Sequence, residues 1–232
     1  MKKFGILAFI VAIIVGVVFA NLFSFGRASG KIFNFSFGTS VNGSGVMRSE
    51  VREIAGFNGV DVGGVFQVEV VLGKDYAVEI EADDNLHQHI STEVRGGVLK
   101  IASAERLKSE SPIRIRVSAP DIETVEASGA SKVSIQGVNN SELAIDTSGA
   151  SKVSLEGVTA NLRINVSGAS KIEASALKAD SAVVDASGAS SVEIHVTDRL
   201  VSEASGASKI SYSGNPGSVE KKASGAGKIH SK

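Results

Sequence analysis

From Glu126 onward the chain alternates apolar and polar residues in short runs, and the runs recur. Val133 and Ile135 follow one Ser-Gly-Ala-Ser phrase, and Val153 and Leu155 follow the next. A Gly-Val step comes after each pair, at Gly137-Val138 and Gly157-Val158. A second pair closes each unit, Leu143 and Ile145, then Leu162 and Ile164. Period-two alternation of β-branched and aliphatic residues predicts strands. The Gly and Ser clusters between the runs predict corners. No apolar stripe at helical spacing runs through the repeat, so helices are not expected there.

The phrase Ser-Gly-Ala occurs six times, at Ser128, Ser148, Ser167, Ser187, Ser205 and Ser224, with intervals of 20, 19, 20, 18 and 19 residues. A fixed period of this size predicts a solenoid. The leucine-rich phrase is absent, and propeller blades need about 40 residues each. A hexapeptide helix would hold to multiples of six, which these intervals do not. A right-handed, single-stranded parallel β-helix absorbs such drift in its corners. The expected fold is therefore all-β, with each coil adding one strand spacing of ~4.8 Å. One coil alone would not hold. Its inward apolar side chains contribute on the order of 8–15 kcal/mol, against about 1–2 kcal/mol per residue of backbone ordering. Stacking supplies the missing ladder and the shared core.

Two charged columns flank the corner. Two residues before each phrase stand Glu126, Asp146, Asn165, Asp185, Glu203 and Lys222. Four residues after its first Ser stand Lys132, Lys152, Lys171, Ser191, Lys209 and Lys228. Like charges one strand apart repel, and an acidic column beside a basic one would offset this. Two readings follow. One is a solvated, self-neutralising corner. The other is a striped face that recognises a charged polymer, carried by Lys132, Lys152, Lys171, Lys209 and Lys228 with Glu126, Asp146, Asp185 and Glu203.

The 232 residues carry a net charge of −1. That length suits one solenoid domain plus a tail, and the charge gives no electrostatic case for nucleic acid. There is no cysteine, hence no disulfide and no thiolate metal site. Met1-Lys2-Lys3 precede an uncharged apolar run of 17 residues, Phe4 to Ala20. Residues 1–26 thus read as an export signal or an N-terminal membrane anchor. Val18-Phe19-Ala20 would serve as a cleavage site, whereas Leu22, Phe23 and Phe25 prolong the run as an anchor would. Both alternatives place the rest of the chain outside the cytoplasm, in the periplasm or at the cell surface. Residues 27–49, with Phe33, Phe35 and Phe37, read as a spacer. Residues 50–125 are strand-rich but not periodic and are expected to form irregular first coils that cap the repeat coils of 126–232. Terminal repeats must be atypical, or an open sheet edge is exposed.

One stretch is more specific. Val60-Asp61-Val62-Gly63-Gly64-Val65-Phe66-Gln67-Val68 is followed by Val78-Glu79-Ile80-Glu81-Ala82-Asp83-Asp84-Asn85-Leu86, then by Thr92-Glu93-Val94 and Gly97-Val98-Leu99, then by the Ser-Gly-Ala-Ser-Lys series. This order resembles the bacterial head GIN domain family, known as "putative auto-transporter adhesins". The resemblance covers about residues 50–230. It implies a right-handed, single-stranded β-helix with a β-rich N-terminal portion and brings no catalytic residues with it.

Glycan-cleaving β-helices need clustered carboxylates and aromatic platforms. The repeat region has one aromatic residue, Tyr212, and its acids fall one per coil. Asp83, Asp84 and Glu81 offer oxygen ligands for Ca²⁺, although adjacent acids beside Asn85 also make an ordinary turn. His87 and His89 alternate, so a strand would put both on one face near those acids; a Zn²⁺ site would still need a third ligand. The expected protein is a non-enzymatic, exported envelope component without a cofactor. Its expected partner is an envelope polysaccharide or protein, plus the membrane if residues 1–26 stay attached. The alternatives are a carbohydrate-active enzyme with a site in 50–125 and a passive spacer.

Overall fold

The alternating runs become strands. The computed structural model describes residues 40–232, so residues 1–26, read above as an export signal or anchor, and the Phe33, Phe35, Phe37 run lie outside the described residues. In chain order the strands are β1 (Ser40–Asn42), β2 (Met47–Arg52), β3 (Gly59–Gly64), β4 (Gln67–Leu72), β5 (Ala77–Asp83), β6 (Ile90–Arg95), β7 (Val98–Ser103), β8 (Arg106–Lys108) and β9 (Arg114–Ala119). The repeat region adds β10 (Thr124–Gly129), β11 (Lys132–Thr147), β12 (Lys152–Val166), β13 (Lys171–Ala186), β14 (Ser191–Ala204), β15 (Lys209–Ser213), β16 (Ser218–Ala223) and β17 (Lys228–Ser231). Among the described residues no helix is long and apolar enough to cross a membrane.

In the repeat region β11, β12, β13 and β14 lie parallel, each displaced from the last by one repeat. Val133 faces Val153, Val153 faces Ile172, and Ile172 faces Val192. The same column continues through Ile210 to Ile229. A second column runs Ile145, Ile164, Val184. All of these except Ile229, which is half-buried, are buried. The alternation thus does what period-two patterning requires, sending one set of side chains into a shared interior. The units of β11, β12, β13 and β14 each make one long strand rather than two short ones, whereas the next unit is split into β15 and β16. The Gly-Val step marks a register shift inside β11, between Ile135 and Val138.

The Ser-Gly-Ala-Ser corner continues the hydrogen-bond ladder instead of interrupting it. The Ala150 amide donates to the Gly129 carbonyl at 2.8 Å, and the Ala169 amide to the Gly149 carbonyl at 2.7 Å. Gly149 sits at φ +74°, and a Cβ there would lie 2.4 Å from the Gly129 carbonyl oxygen. Both the backbone conformation and the approach of the neighbouring layer therefore require glycine. The second Ser of the phrase turns inward. Ser131, Ser151, Ser170, Ser190 and Ser208 are buried. Ser151 Oγ donates to its own corner at the Ser148 carbonyl, 3.0 Å away, and Ser208 Oγ to the Ser205 carbonyl at 2.8 Å. These hydroxyls also join neighbouring layers: Ser131 and Ser151 bond hydroxyl to hydroxyl at 3.3 Å, and Ser208 Oγ donates to the Ala186 carbonyl at 3.0 Å.

Chain order and stacking order part company before residue 124. β3 pairs in parallel with β10 on one side and with β7 on the other. β4 likewise lies between β11 and β9. The layer formed by 59–72 is therefore enclosed by a later layer on each side. Beyond β9 and β7 the direction reverses. β5 is antiparallel to β9, β2 to β5, and β6 to β7. These reversed strands, rather than a series of first coils in sequence order, finish this side of the stack.

Candidate binding face

Parallel register turns a periodic sequence into straight rows. Asp61 lies opposite Glu126, Glu126 opposite Asp146, Asp146 opposite Asn165, Asn165 opposite Asp185, and Asp185 opposite Glu203. Steps of ~4.8 Å make the row roughly 24 Å long. It faces outward because its neighbours Ala127, Thr147, Val166, Ala186 and Ala204 are buried. Two residues further on, Ser128, Ser148, Ser167, Ser187 and Ser205 form a row of hydroxyls. The two rows line one groove of about 420 Å³.

Lysines stand at both ends of the acidic row. Lys100 Nζ reaches Asp61 at 3.0 Å, and Lys222 Nζ reaches Glu203 at 2.8 Å. The bond to Glu203 lifts the Lys222 ammonium above its ordinary range. Between these ends, Asn165 donates its side-chain amide to Asp146 Oδ1 at 2.9 Å. Glu126 and Asp185 form no ion pair among the described residues.

The basic row runs Lys132, Lys152, Lys171, Ser191, Lys209, Lys228, each in register with the next. It lies beyond the corner, on the next strand, and no ion pair joins it to the acidic row among the described residues. Its counter-charge comes from two residues further along. Glu173 holds both Lys152 at 2.8 Å and Lys171 at 2.7 Å. Hydrogen bonds from those two lysines keep Glu173 below the ordinary carboxylate range. Glu193, next to Glu173 in that column, is likewise lowered by its bond from Lys232. For Lys152 and Lys171 the expected offset by the acidic column is thus replaced by a pairing within one face.

Two residues of this arrangement escape a reading of the Ser-Gly-Ala phrase. Glu173 occupies a column of Glu69, Ser134, Ser154, Glu173 and Glu193, where two serines interrupt the acids. Asp61 belongs to a corner without the phrase. Its signal is the match of Val60-Asp61-Val62-Gly63-Gly64 to Val125-Glu126-Ala127-Ser128-Gly129, which pair residue for residue.

The Asp83-Asp84-Asn85 segment is a clasp. Asp83 is buried, and its Oδ1 accepts the Gly45 amide at 2.9 Å. Asp84 accepts the Ser44 hydroxyl. Asn85 accepts the Ser44 amide at 2.9 Å and donates to the Asn42 carbonyl at 2.8 Å. The turn therefore ties down the loop at 43–45, and among the described residues no three His, Asp or Glu side chains are grouped to hold a metal. His87 and His89 lie on a 3-10 turn, not a strand. At three residues per turn they point apart. His87 is buried with Nε2 3.0 Å from the Arg48 carbonyl, while His89 Nδ1 is 3.3 Å from Glu105.

Solved structures share this fold. A "putative adhesin" from Bacteroides fragilis superposes with a TM-score of 0.68 at 20% identity, covering 83% of this chain and 100% of that one. A "putative lipid binding protein" from Parabacteroides distasonis gives a TM-score of 0.51 at 18% identity, covering 84% and 100%. A "putative adhesin" from Parabacteroides merdae gives 0.50 at 18% identity, covering 83% and 99%. No curated protein matches the chain. Residues 56–216 match the family described as "putative auto-transporter adhesin, head GIN domain", and the chain belongs to that family.

Proposed function

We propose that this protein is a non-enzymatic, exported component of the cell envelope that binds a charged linear polymer in the manner of an adhesin. Its stack winds as a right-handed, single-stranded β-helix. Its apolar N-terminal segment delivers it to the periplasm or cell surface. The observation that carries the reading is the pair of in-register rows flanking one corner. A linear polymer with regularly spaced charges can meet such a row at many points, and weak contacts multiply when they are held on one scaffold. The printed descriptions of the family and of two structural neighbours point the same way. An enzyme reading has less support, because acids spaced one per layer do not make an acid/base pair. Tyr212, the aromatic residue of the repeat region, is buried and provides no sugar platform.

The test is an array of anionic and cationic envelope polymers probed with the full chain, reading binding and product release together. Binding without cleavage is expected. Changing Glu126→Gln, Asp146→Asn and Asp185→Asn abolishes capture of a cationic polymer. Changing Lys132→Ser, Lys209→Ser and Lys228→Ser abolishes capture of an anionic one. Product release would overturn the non-enzymatic reading, and silence across the array would leave a passive spacer.

A further inference from the structure

The two sides of the stack end differently. On one side, reversed strands cover the last parallel layer. On the other, β16 and β17 each have a strand neighbour on one side only among the described residues, β14 and β15 respectively. Such strands are templates for pairing with another molecule.

Two of the rows that reach this edge change character on β16, while the lysine row and the Ile210–Ile229 column run on to β17. The inward column Ile145, Ile164, Val184, Ser202 continues to Lys221, which lies opposite Ser202. An ammonium thus stands where earlier layers place an aliphatic group. Lys221 Nζ sits 4.6 Å from the centre of the Tyr212 ring, so the charge and the ring close the end of the interior together. The acidic row stops at Lys222, directly opposite Glu203. In the Glu173 and Glu193 column, Lys232 reaches Glu193. All of β16 is exposed.

We propose that Lys221 and Lys222 close this edge against a second copy of the chain. A copy added edge to edge about a two-fold axis would crowd its own Lys221 and Lys222 onto the same seam as these. The result would be opposed like charges and a buried ammonium without a partner. Aliphatic or neutral residues at the same places would leave two open strands over an apolar interior.

The chain has no cysteine, so one introduced thiol reports contact at a chosen point. Val219→Cys places it on β16, and Ser134→Cys places it on a side face as the control. Each is made in the natural background and with Lys221→Ile and Lys222→Thr, in the full chain held in mild detergent, then oxidised. Circular dichroism checks the fold of each variant. Removing the lysines is expected to raise the disulfide-linked dimer yield through Val219→Cys about tenfold, with no change through Ser134→Cys. Equal yields in both backgrounds, or equal rises at both positions, would overturn the proposal. If Lys221→Ile melts the last layer, Lys222→Thr alone, on the outward row, is read in the same way and decides the outcome.

Discussion

Asn165 donates its amide to Asp146 Oδ1 at 2.9 Å, and in doing so divides a row of carboxylates in two. Asn165 lies opposite Asp146 on one side and Asp185 on the other. An Asp at this position would place six acids in unbroken succession from Asp61 to Glu203. Asn165→Asp is expected to cost about 0.5–1 kcal/mol. The loss should shrink as salt is raised from low to physiological concentration. Urea melts at two ionic strengths measure it; an equal loss at both would show that repulsion is not the cause.

Gly149 tests the corner. A branched side chain would meet the Gly129 carbonyl and force a positive φ on a residue that avoids it. Gly149→Val is expected to lose more than about 3 kcal/mol, through strain and through parting of adjacent layers. Soluble β-structure should fall accordingly in circular dichroism, and an unchanged melting curve would refute the role assigned to this glycine.

Glu173 links two lysines and should make stability depend on acid. Its carboxyl is held below the ordinary value of 4.5 in the folded state. A lowered pKa contributes stability that is present above the unfolded value and is lost as pH falls through the folded one. Glu173→Gln is therefore expected to be less stable than the natural chain near neutral pH. The gap should begin to close as pH falls below about 4.5 and vanish below the lower folded value, and it should be small because the group is partly solvated. Thermal melts at pH 7 and pH 3 give the comparison; a gap undiminished at pH 3 would assign the effect to packing.

Asp83→Ala opens the clasp. It removes the acceptor for the Gly45 amide and is expected to cost about 1–3 kcal/mol. The loss should be local. Amide exchange should quicken at 44–46, and protease should nick this loop first, while exchange in β12 stays slow.

The repeat region was legible because register and period coincide there. Lys132 and Lys152 occupy equivalent places in the sequence and lie opposite each other in the fold. The region before residue 124 was not legible in this way. Val60 lies against Val125, and that separation is no whole number of repeats. Several strands there could be recognised from their alternation, although β1 and the start of β2 fall in the stretch read as a spacer, and which strands would be neighbours depended on the chain returning to both sides of an earlier layer. The charged columns were visible as columns, yet their pairing was not. A corner separates Asp146 from Lys152 in space, whereas Glu173 reaches Lys152 from the adjacent layer.

The enclosed layer also gives the protein a direction under load. A pull transmitted through Gly59 must break two ladders at once, those to β10 and to β7. A pull on Ala223 meets a single ladder, the one to β14. The fold is thus mechanically polar among the described residues: it unzips layer by layer from the β16 side, and it resists withdrawal at the layer held by two ladders.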